Sequence, residues 1–330
     1  MDALSDVLRV ARMTGGVFLH AEFSAPWCLA TRVAPKHCTP ALGAAAHIIP
    51  YHYIVDGELQ LRMADTDERV TLVAGEVVVL PRNDIHYMGS DLALRPVPGG
   101  EIIRLPARGE LWTMRHGGDG ARTRMVCGFL GCDGPDTNPV LASLPPLLKL
   151  TLRDGAAAEW IRSTLRFAAE EIAAGRPGSE TVLEKVSELL FVEAVRRHAE
   201  ALPEGEIGWL AGLRDPYVAR TLALIHCEVA RPWTVDELGR EVGLSRSALA
   251  DRFIRFLGVP PIHYLARWRM QVATQRLRGT AASLAEVASV VGYESEAAFS
   301  RAFKKAFGIA PATWRRTRGA GARTAAAPSS

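Results

Sequence analysis

The feature that most restricts how this chain can fold is an internal repeat near its C-terminus. The stretch "TVDELGREVGLSRSALADRFIRFLGVPPIHYL" returns as "SLAEVASVVGYESEAAFSRAFKKAFGIAPATWR". Thr234, Val235, Leu238, Val242 and Gly243 recur 49 residues later as Ser283, Leu284, Val287, Val291 and Gly292. Past the turn the offset is 50: Ser245, Leu249, Phe253, Gly258, Pro261 and Tyr264 are matched by Ser295, Phe299, Phe303, Gly308, Pro311 and Trp314. The second copy therefore carries one extra turn residue, Glu294. Two copies with apolar residues at helical spacing predict the same supersecondary element built twice.

Each copy reads as a short helix, a turn opened by glycine, and a second helix capped by serine. Thr234 with Glu237, and Ser283 with Glu286, have the spacing of a capping box. Leu249, Phe253, Phe256 and Leu257 share one helix face, as do Phe299, Phe303 and Phe307, and these faces are predicted to be core. The opposite faces carry Arg246, Ser247, Ala250 and Asp251 in the first unit, and Glu296, Ala297, Ser300 and Arg301 in the second. Helices presented in this way fit the DNA major groove with their N-terminal halves toward base edges. Arg252, Arg255, Lys304 and Lys305 are placed for phosphates, which set register without reading sequence. A helix between the units, about Ile262 to Leu277, carries Arg267, Arg269, Gln271 and Arg276 and is expected to fix their spacing, at about 34 Å if it is rigid.

Charge agrees with a polyanion partner for this part alone. Residues 215–318 hold 16 Lys+Arg against 9 Asp+Glu, whereas residues 1–214 hold 22 against 27. Double-stranded DNA is the expected partner. The longest apolar runs, such as Val77 to Pro81, are too short to cross a bilayer, so no membrane partner is expected. The N-terminus lacks the pattern of a signal peptide. Five cysteines, an odd number in 330 residues, suggest no disulfide framework and a reducing compartment, and the expected location is the cytoplasm.

Residues 16–135 show short β-like runs punctuated by Gly, Pro and Asp. "HYIVDGELQLRM" predicts a hairpin at Asp56-Gly57, and "RVTLVAGEVVVLP" repeats the pattern at Ala74-Gly75. After Pro145-Pro146 the period changes. Trp160, Ile161, Leu165, Ala168 and Ile172 predict a helix ending at Gly175. Val182, Val186, Leu189, Leu190 and Val195 predict a second from Ser179 to about Ala201. The tail from Gly319 has no core-forming residue and is expected to be disordered.

The C-terminal segment resembles the DNA-binding domain of the AraC/XylS family of transcription regulators, through "EVASVVGYESEAAFSRAFKKAFGIAPATWRR". Gly292, Tyr293, Ser295, Phe299, Arg301, Phe303, Lys304, Gly308 and Pro311 carry the resemblance in the second unit. The first unit diverges, with Asp251 where many members have a basic or polar residue. Ahead of it, "YHYIVDGELQL", "LVAGEVVVLPRNDIHYM" and "VCGFLGCDGPDTNPVLASLP" resemble the cupin-like domain found in one branch of that family. The resemblance implies a multidomain α+β chain: an N-terminal cupin-like antiparallel β-barrel, a helical connector, and a C-terminal all-α tandem helix-turn-helix. The corresponding ranges are 1–145 for the sensing domain, 146–214 for the connector and linker, 215–318 for DNA binding and 319–330 for the tail.

The cupin-like part keeps little of a cupin metal set. His52, with Glu58, stands in the first motif and His86 in the second, without His-x-His, so neither catalysis nor a cofactor is expected. A divalent metal at His47, His52 and His86 is the alternative reading. Tyr51, His52, Tyr53 and His86 form a candidate effector pocket, with Trp27 and Trp112 as further aromatics. Cys28, Cys38, Cys127 and Cys132 are the candidate redox residues, since thiol sensing needs an accessible thiolate and a partner cysteine. The expected molecule is a regulator controlled by a small molecule or redox signal, with an effector-independent regulator, or a metal-dependent cupin enzyme fused to a DNA-binding domain, as the alternatives. Its helices at 158–201 would pair in a homodimer, and RNA polymerase would be a partner if it activates.

Overall fold

The structure, a computed structural model, describes residues 2–11, 13–33, 45–66, 69–104, 112–132, 138–151, 156–173 and 179–316. Cys38 and the tail 319–330 lie outside these residues. The chain divides into two compact units. One comprises residues 13–135 and 144–200, the other residues 1–12, 136–143 and 201–330.

The first unit contains twelve strands among the described residues: β1 (Thr14–Ser24), β2 (Cys28–Thr31), β3 (His47–Asp56), β4 (Glu58–Met63), β5 (Arg69–Val73), β6 (Glu76–Val79), β7 (His86–Gly89), β8 (Val97–Pro98), β9 (Ile103–Arg104), β10 (Trp112–Gly117), β11 (Arg122–Cys132) and β12 (Leu148–Thr151). They form a seven-stranded sheet in the order β12-β6-β3-β11-β1-β10-β9 and a five-stranded sheet in the order β5-β4-β7-β2-β8. Leu19, Phe23, Ile54 and Met125 of the larger sheet meet Leu29, Leu59, Leu61 and Met88 of the smaller in one apolar core. Alternation on β4 puts Leu59, Leu61 and Met63 inward, as period-2 patterning requires.

Three expectations change here. The sheets are mixed rather than antiparallel throughout, because β1 pairs with β10 and β2 with β8 in parallel. Such pairs join segments far apart in the chain, which local patterning does not register. No strand belongs to both sheets, so the described strands form two facing sheets rather than a closed barrel. Asp56-Gly57 and Ala74-Gly75 are not hairpin turns either. β3 and β6 pair in the larger sheet, while β4 and β5 pair in the smaller. The four strands thus form one long ribbon that bends at both dipeptides, with Gly75 N–H donating to Ile54 O (2.9 Å) and Ala74 N–H to Gly57 O (3.1 Å). Gly57 has φ +79°, and a Cβ there would lie 2.3 Å from Arg122 O. The corner is tight enough to need glycine.

Three short helices precede or interrupt the strands: α1 (Ala3–Ala11), α2 (Gly99–Ile102) and α3 (Pro139–Ser143). Two longer ones, α4 (Ala156–Ala173) and α5 (Ser179–Ala201), match the expected connector helices. They cover the outer face of β3, where the Tyr51 hydroxyl bonds Ser187 Oγ on α5 at 2.7 Å. With both faces covered, β3 is buried throughout Ile48 to Ile54.

The second unit holds α6 (Trp209–Gly212), α7 (Pro216–Cys227), α8 (Val235–Val242), α9 (Arg246–Leu257), α10 (Pro261–Gly279), α11 (Leu284–Val290) and α12 (Glu296–Phe307), with a last helical turn over 311–316. Two segments from the first 145 residues belong to it: α1 packs on α7 and α10, and α3 on α6. Tyr264 anchors the first half of this unit. Its hydroxyl accepts from Trp209 Nε1–H (2.9 Å) and so donates to His226 Nε2 (2.9 Å). The His226 ring stacks on Trp268 at 3.9 Å. No helix among the described residues is long and apolar enough to cross a membrane.

Candidate DNA interface and ligand cavity

Both capping boxes form as the spacing predicts. Thr234 accepts from Glu237 N–H, and Thr234 N–H donates to the Glu237 carboxylate; Ser283 and Glu286 repeat the exchange. Gly243 and Gly292 open the turns at φ +82° and +78°. Ser245 and Ser295 then cap α9 and α12, accepting from Ala248 and Ala298 N–H. Inside, Leu249 and Phe253 of α9 and Phe299 and Phe303 of α12 are fully buried.

Outside, Arg246, Ser247, Asp251 and Arg255 are exposed on α9, with Ala250 partly covered. On α12, Glu296, Ala297, Arg301, Lys304 and Lys305 are exposed and Ser300 partly covered. All eleven candidate DNA-contact residues therefore reach the surface of these two helices. Their electrostatics differ. Arg246 faces Asp236 across 3.6 Å, and Asp251 adds a negative charge to the same helix. Among the described residues, no ion pair engages Arg301, Lys304 or Lys305.

Arg252, expected at a phosphate, and Arg269, on the helix expected to fix the spacing of the two units, both make structural bonds. Arg252 lies 2.6 Å from Asp215 Oδ2, and Asp215 also caps α7 through Tyr217 and Val218 N–H. Burial alone would raise the Asp215 carboxyl, but the Arg252 bond and the two backbone bonds outweigh it and hold the carboxyl below its ordinary value. Arg269 of α10 donates to three consecutive carbonyls: Val229 (2.9 Å), Ala230 (3.3 Å) and Arg231 (2.8 Å). A Cβ on Gly292 would meet Ala230 O at 2.5 Å and the Arg269 guanidinium at 2.7 Å. Arg269 thus ties the entry to the first helix-turn-helix against the turn of the second. The spacing role expected of the whole helix thus falls on this one side chain.

Between the two sheets lies a cavity of about 200 Å³. Leu19, Ala21, Phe23, Met88, Met125 and Phe129 supply much of its apolar wall, and Trp112 also lines it. One end is polar: His52, His86, Thr31 and Cys127 meet there. His86 Nε2 lies 2.6 Å from Thr31 Oγ1 and 3.2 Å from His52 Nε2, and His52 Nδ1 lies 2.8 Å from Cys127 Sγ. His86 Nδ1–H donates to Asp84 O (3.0 Å), which fixes that ring's tautomer. Burial pushes His86 down to about 4 and holds His52 well below its ordinary value, so both rings are neutral near pH 7.

Of the four candidate pocket residues, the cavity brings His52 and His86 together and excludes the tyrosines. Tyr51 and Tyr53 alternate with His52 on β3 and so face the other side, Tyr51 toward Ser187 and Tyr53 toward Arg162 and Arg166. Trp27 is core, stacked on Phe23 at 4.2 Å. His47 donates from Nε2 to Pro81 O (2.6 Å), apart from the other two histidines. His52 turns opposite ring nitrogens to His86 and Cys127, so one ion could not bind all three. No group of three metal-ligating side chains occurs among the described residues. Cys28, Cys127 and Cys132 are buried, and none is in a disulfide. Burial raises Cys28 and, far more strongly, Cys127, which keeps both as thiols.

Comparison with known proteins follows this division. Residues 2–200 match the cupin family model and residues 238–317 a helix-turn-helix domain model. A Streptomyces lividans protein described as an AraC-like transcription regulator is 32% identical over 316 residues, covering 96% of this chain and 98% of the relative. The HTH-type transcriptional regulator AlkR of Acinetobacter baylyi is 26% identical, covering 96% of this chain and 99% of its own. Among solved structures, a Chromobacterium violaceum transcriptional regulator with an AraC-type DNA-binding domain is 28% identical. It covers 32% of this chain and 94% of that one, with a TM-score of 0.31.

Proposed function

This chain belongs to the AraC-like transcription regulators, and on that premise we propose how it divides its work: α12 supplies most of the DNA contact, and the sheet unit receives a small-molecule signal. The observation that carries the first half is the contrast between the helices. α12 exposes Arg301, Lys304 and Lys305 against Glu296, whereas on α9 Arg246 and Arg252 are paired with Asp236 and Asp215 and Asp251 adds a negative charge. Arg301 and Ser300 act as readers in the second unit, with Ser247 and Ala250 in the first. Arg255, Lys304 and Lys305 hold phosphates.

The cavity favours a bound molecule over thiol chemistry, because burial keeps Cys28 and Cys127 as thiols that offer no thiolate to an oxidant. The protein is a regulator without catalysis of its own, working in the cytoplasm and contacting RNA polymerase where it activates. Homodimer formation is supported by α4 and α5, which leave Trp160, Phe167, Val182 and Leu189 exposed. Within each helix these residues are seven positions apart, the spacing of a coiled-coil seam.

Selection of bound genomic fragments would supply the operator, against which Arg301→Ala is measured. A loss of about 1–3 kcal/mol confined to the selected sequence is expected for a base reader. An equal loss on all sequences would move Arg301 to the phosphate contacts. For the dimer, light scattering at micromolar protein should give twice the 36 kDa chain mass, and Trp160→Ser with Leu189→Ser should halve it.

A further inference from the structure

The polar end of the cavity cannot satisfy itself. Because Asp84 O takes the proton of His86 Nδ1, neutral His86 presents one lone pair at Nε2. Thr31 Oγ1 and His52 Nε2 both face that lone pair, at 2.6 and 3.2 Å. If His52 carries its proton on Nε2, two donors compete for one acceptor. If it carries the proton on Nδ1, toward Cys127, two lone pairs oppose each other at 3.2 Å. Either placement leaves a buried polar atom poorly paired beside an apolar cavity, and such an atom is costly unless another group bonds it.

We propose that this cavity binds a small neutral molecule, apolar over most of its surface, whose single carbonyl or hydroxyl oxygen bonds at the His52–His86–Thr31 end. The proposal rests on the reading of the sheet unit as the signal-receiving part and names the ligand class. A hydroxyl can donate and accept, so it completes either proton arrangement, whereas a carbonyl completes the first. Size follows from the cavity: an apolar cavity of about 150 Å³ holds benzene, so about 200 Å³ suits a ligand of about nine non-hydrogen atoms. Charge is disfavoured at this end, since both imidazoles are neutral and buried. The cation in the lining is Arg32, which is exposed and distinct from the histidine end.

Four probes of similar size separate the possibilities on the full chain by titration calorimetry: acetophenone, 1-phenylethanol, ethylbenzene and benzoate. The oxygenated neutral pair should bind about tenfold tighter than ethylbenzene, the worth of one buried hydrogen bond. Thr31→Val and His52→Phe should each narrow that ratio to about twofold; the ratio in the unaltered protein needs no variant and stands if His52→Phe fails to fold. Ethylbenzene binding equally well would overturn the polar-end argument. Benzoate binding best would place the head group on Arg32 and overturn the neutral class, and no binding by any probe would overturn the site. Affinity for a selected DNA fragment, measured with and without acetophenone, tests the sensing reading separately. Binding that leaves DNA affinity unchanged keeps the ligand class and removes the signalling role.

Discussion

Acidification from pH 7 to pH 5 is expected to destabilise this protein before its carboxylates titrate. His86 is wholly buried and burial pushes it down to about 4; His226, buried between Tyr264 and Trp268, is pushed down to about 3 for the same reason. In the unfolded chain both rings titrate near 6.5. Below that pH the unfolded state takes up protons that the folded state refuses, so stability falls as pH falls, until the folded ring itself protonates. At pH 5 the unfolded ring lies about one and a half pH units into its titration. At about 1.4 kcal/mol per unit, each of the two histidines costs the fold about 2 kcal/mol. His52 adds to the loss in the same direction. Against a typical total of about 5–15 kcal/mol, that is a large fraction. Urea unfolding of the full chain at pH 7 and pH 5 gives the measurement. The stability difference between the two pH values should shrink by about 2 kcal/mol in His86→Phe, and by a similar amount in His226→Phe. Equal stability at both pH values, or an undiminished difference in both variants, would refute the claim that these rings are held neutral by burial.

Three further outcomes are expected. Arg269→Met keeps the packed stem but removes the guanidinium bonds to three carbonyls, of which Arg231 O keeps Trp233 N–H; with water replacing part of the loss, it should cost about 2 kcal/mol in urea unfolding and raise hydrogen exchange around residues 229–233 and 292. Gly57→Ala puts a side chain at φ +79° and 2.3 Å from Arg122 O, so a loss of at least about 2 kcal/mol should appear as a lowered thermal midpoint. Ser283→Ala removes one half of a capping box and should cost about 1 kcal/mol, whereas Ser283→Asp should restore most of it.

How much was legible in the sequence depended on the distance over which each feature is set. The helix-turn-helix pair, both capping boxes and the buried faces through Leu249, Phe253, Phe299 and Phe303 were all readable from spacing, because a helix brings residues three and four apart together whatever surrounds it. The connector helices were readable for the same reason. Arg252 and Arg269 were not, since a surface arginine and a clamped one look alike until the partner, Asp215 or the 229–231 carbonyls, arrives from elsewhere in the chain. The glycine corners at Gly57 and Gly75 were recognised as turns but assigned the wrong partners.

Residue order alone sets the duplicated helix-turn-helix element, its caps and its core, because these are local consequences of spacing. Only the tertiary structure decided which face of β3 lines the cavity, and so that His52 meets His86 while Tyr51 and Tyr53 turn toward the helices. Strand alternation fixes that neighbours point opposite ways, but which way is inward is set by the sheet and helices that pack on either side. The same holds for α1, whose few residues carry no sign that they pack with helices more than 200 positions away. Burial of that kind is a property of the assembled fold.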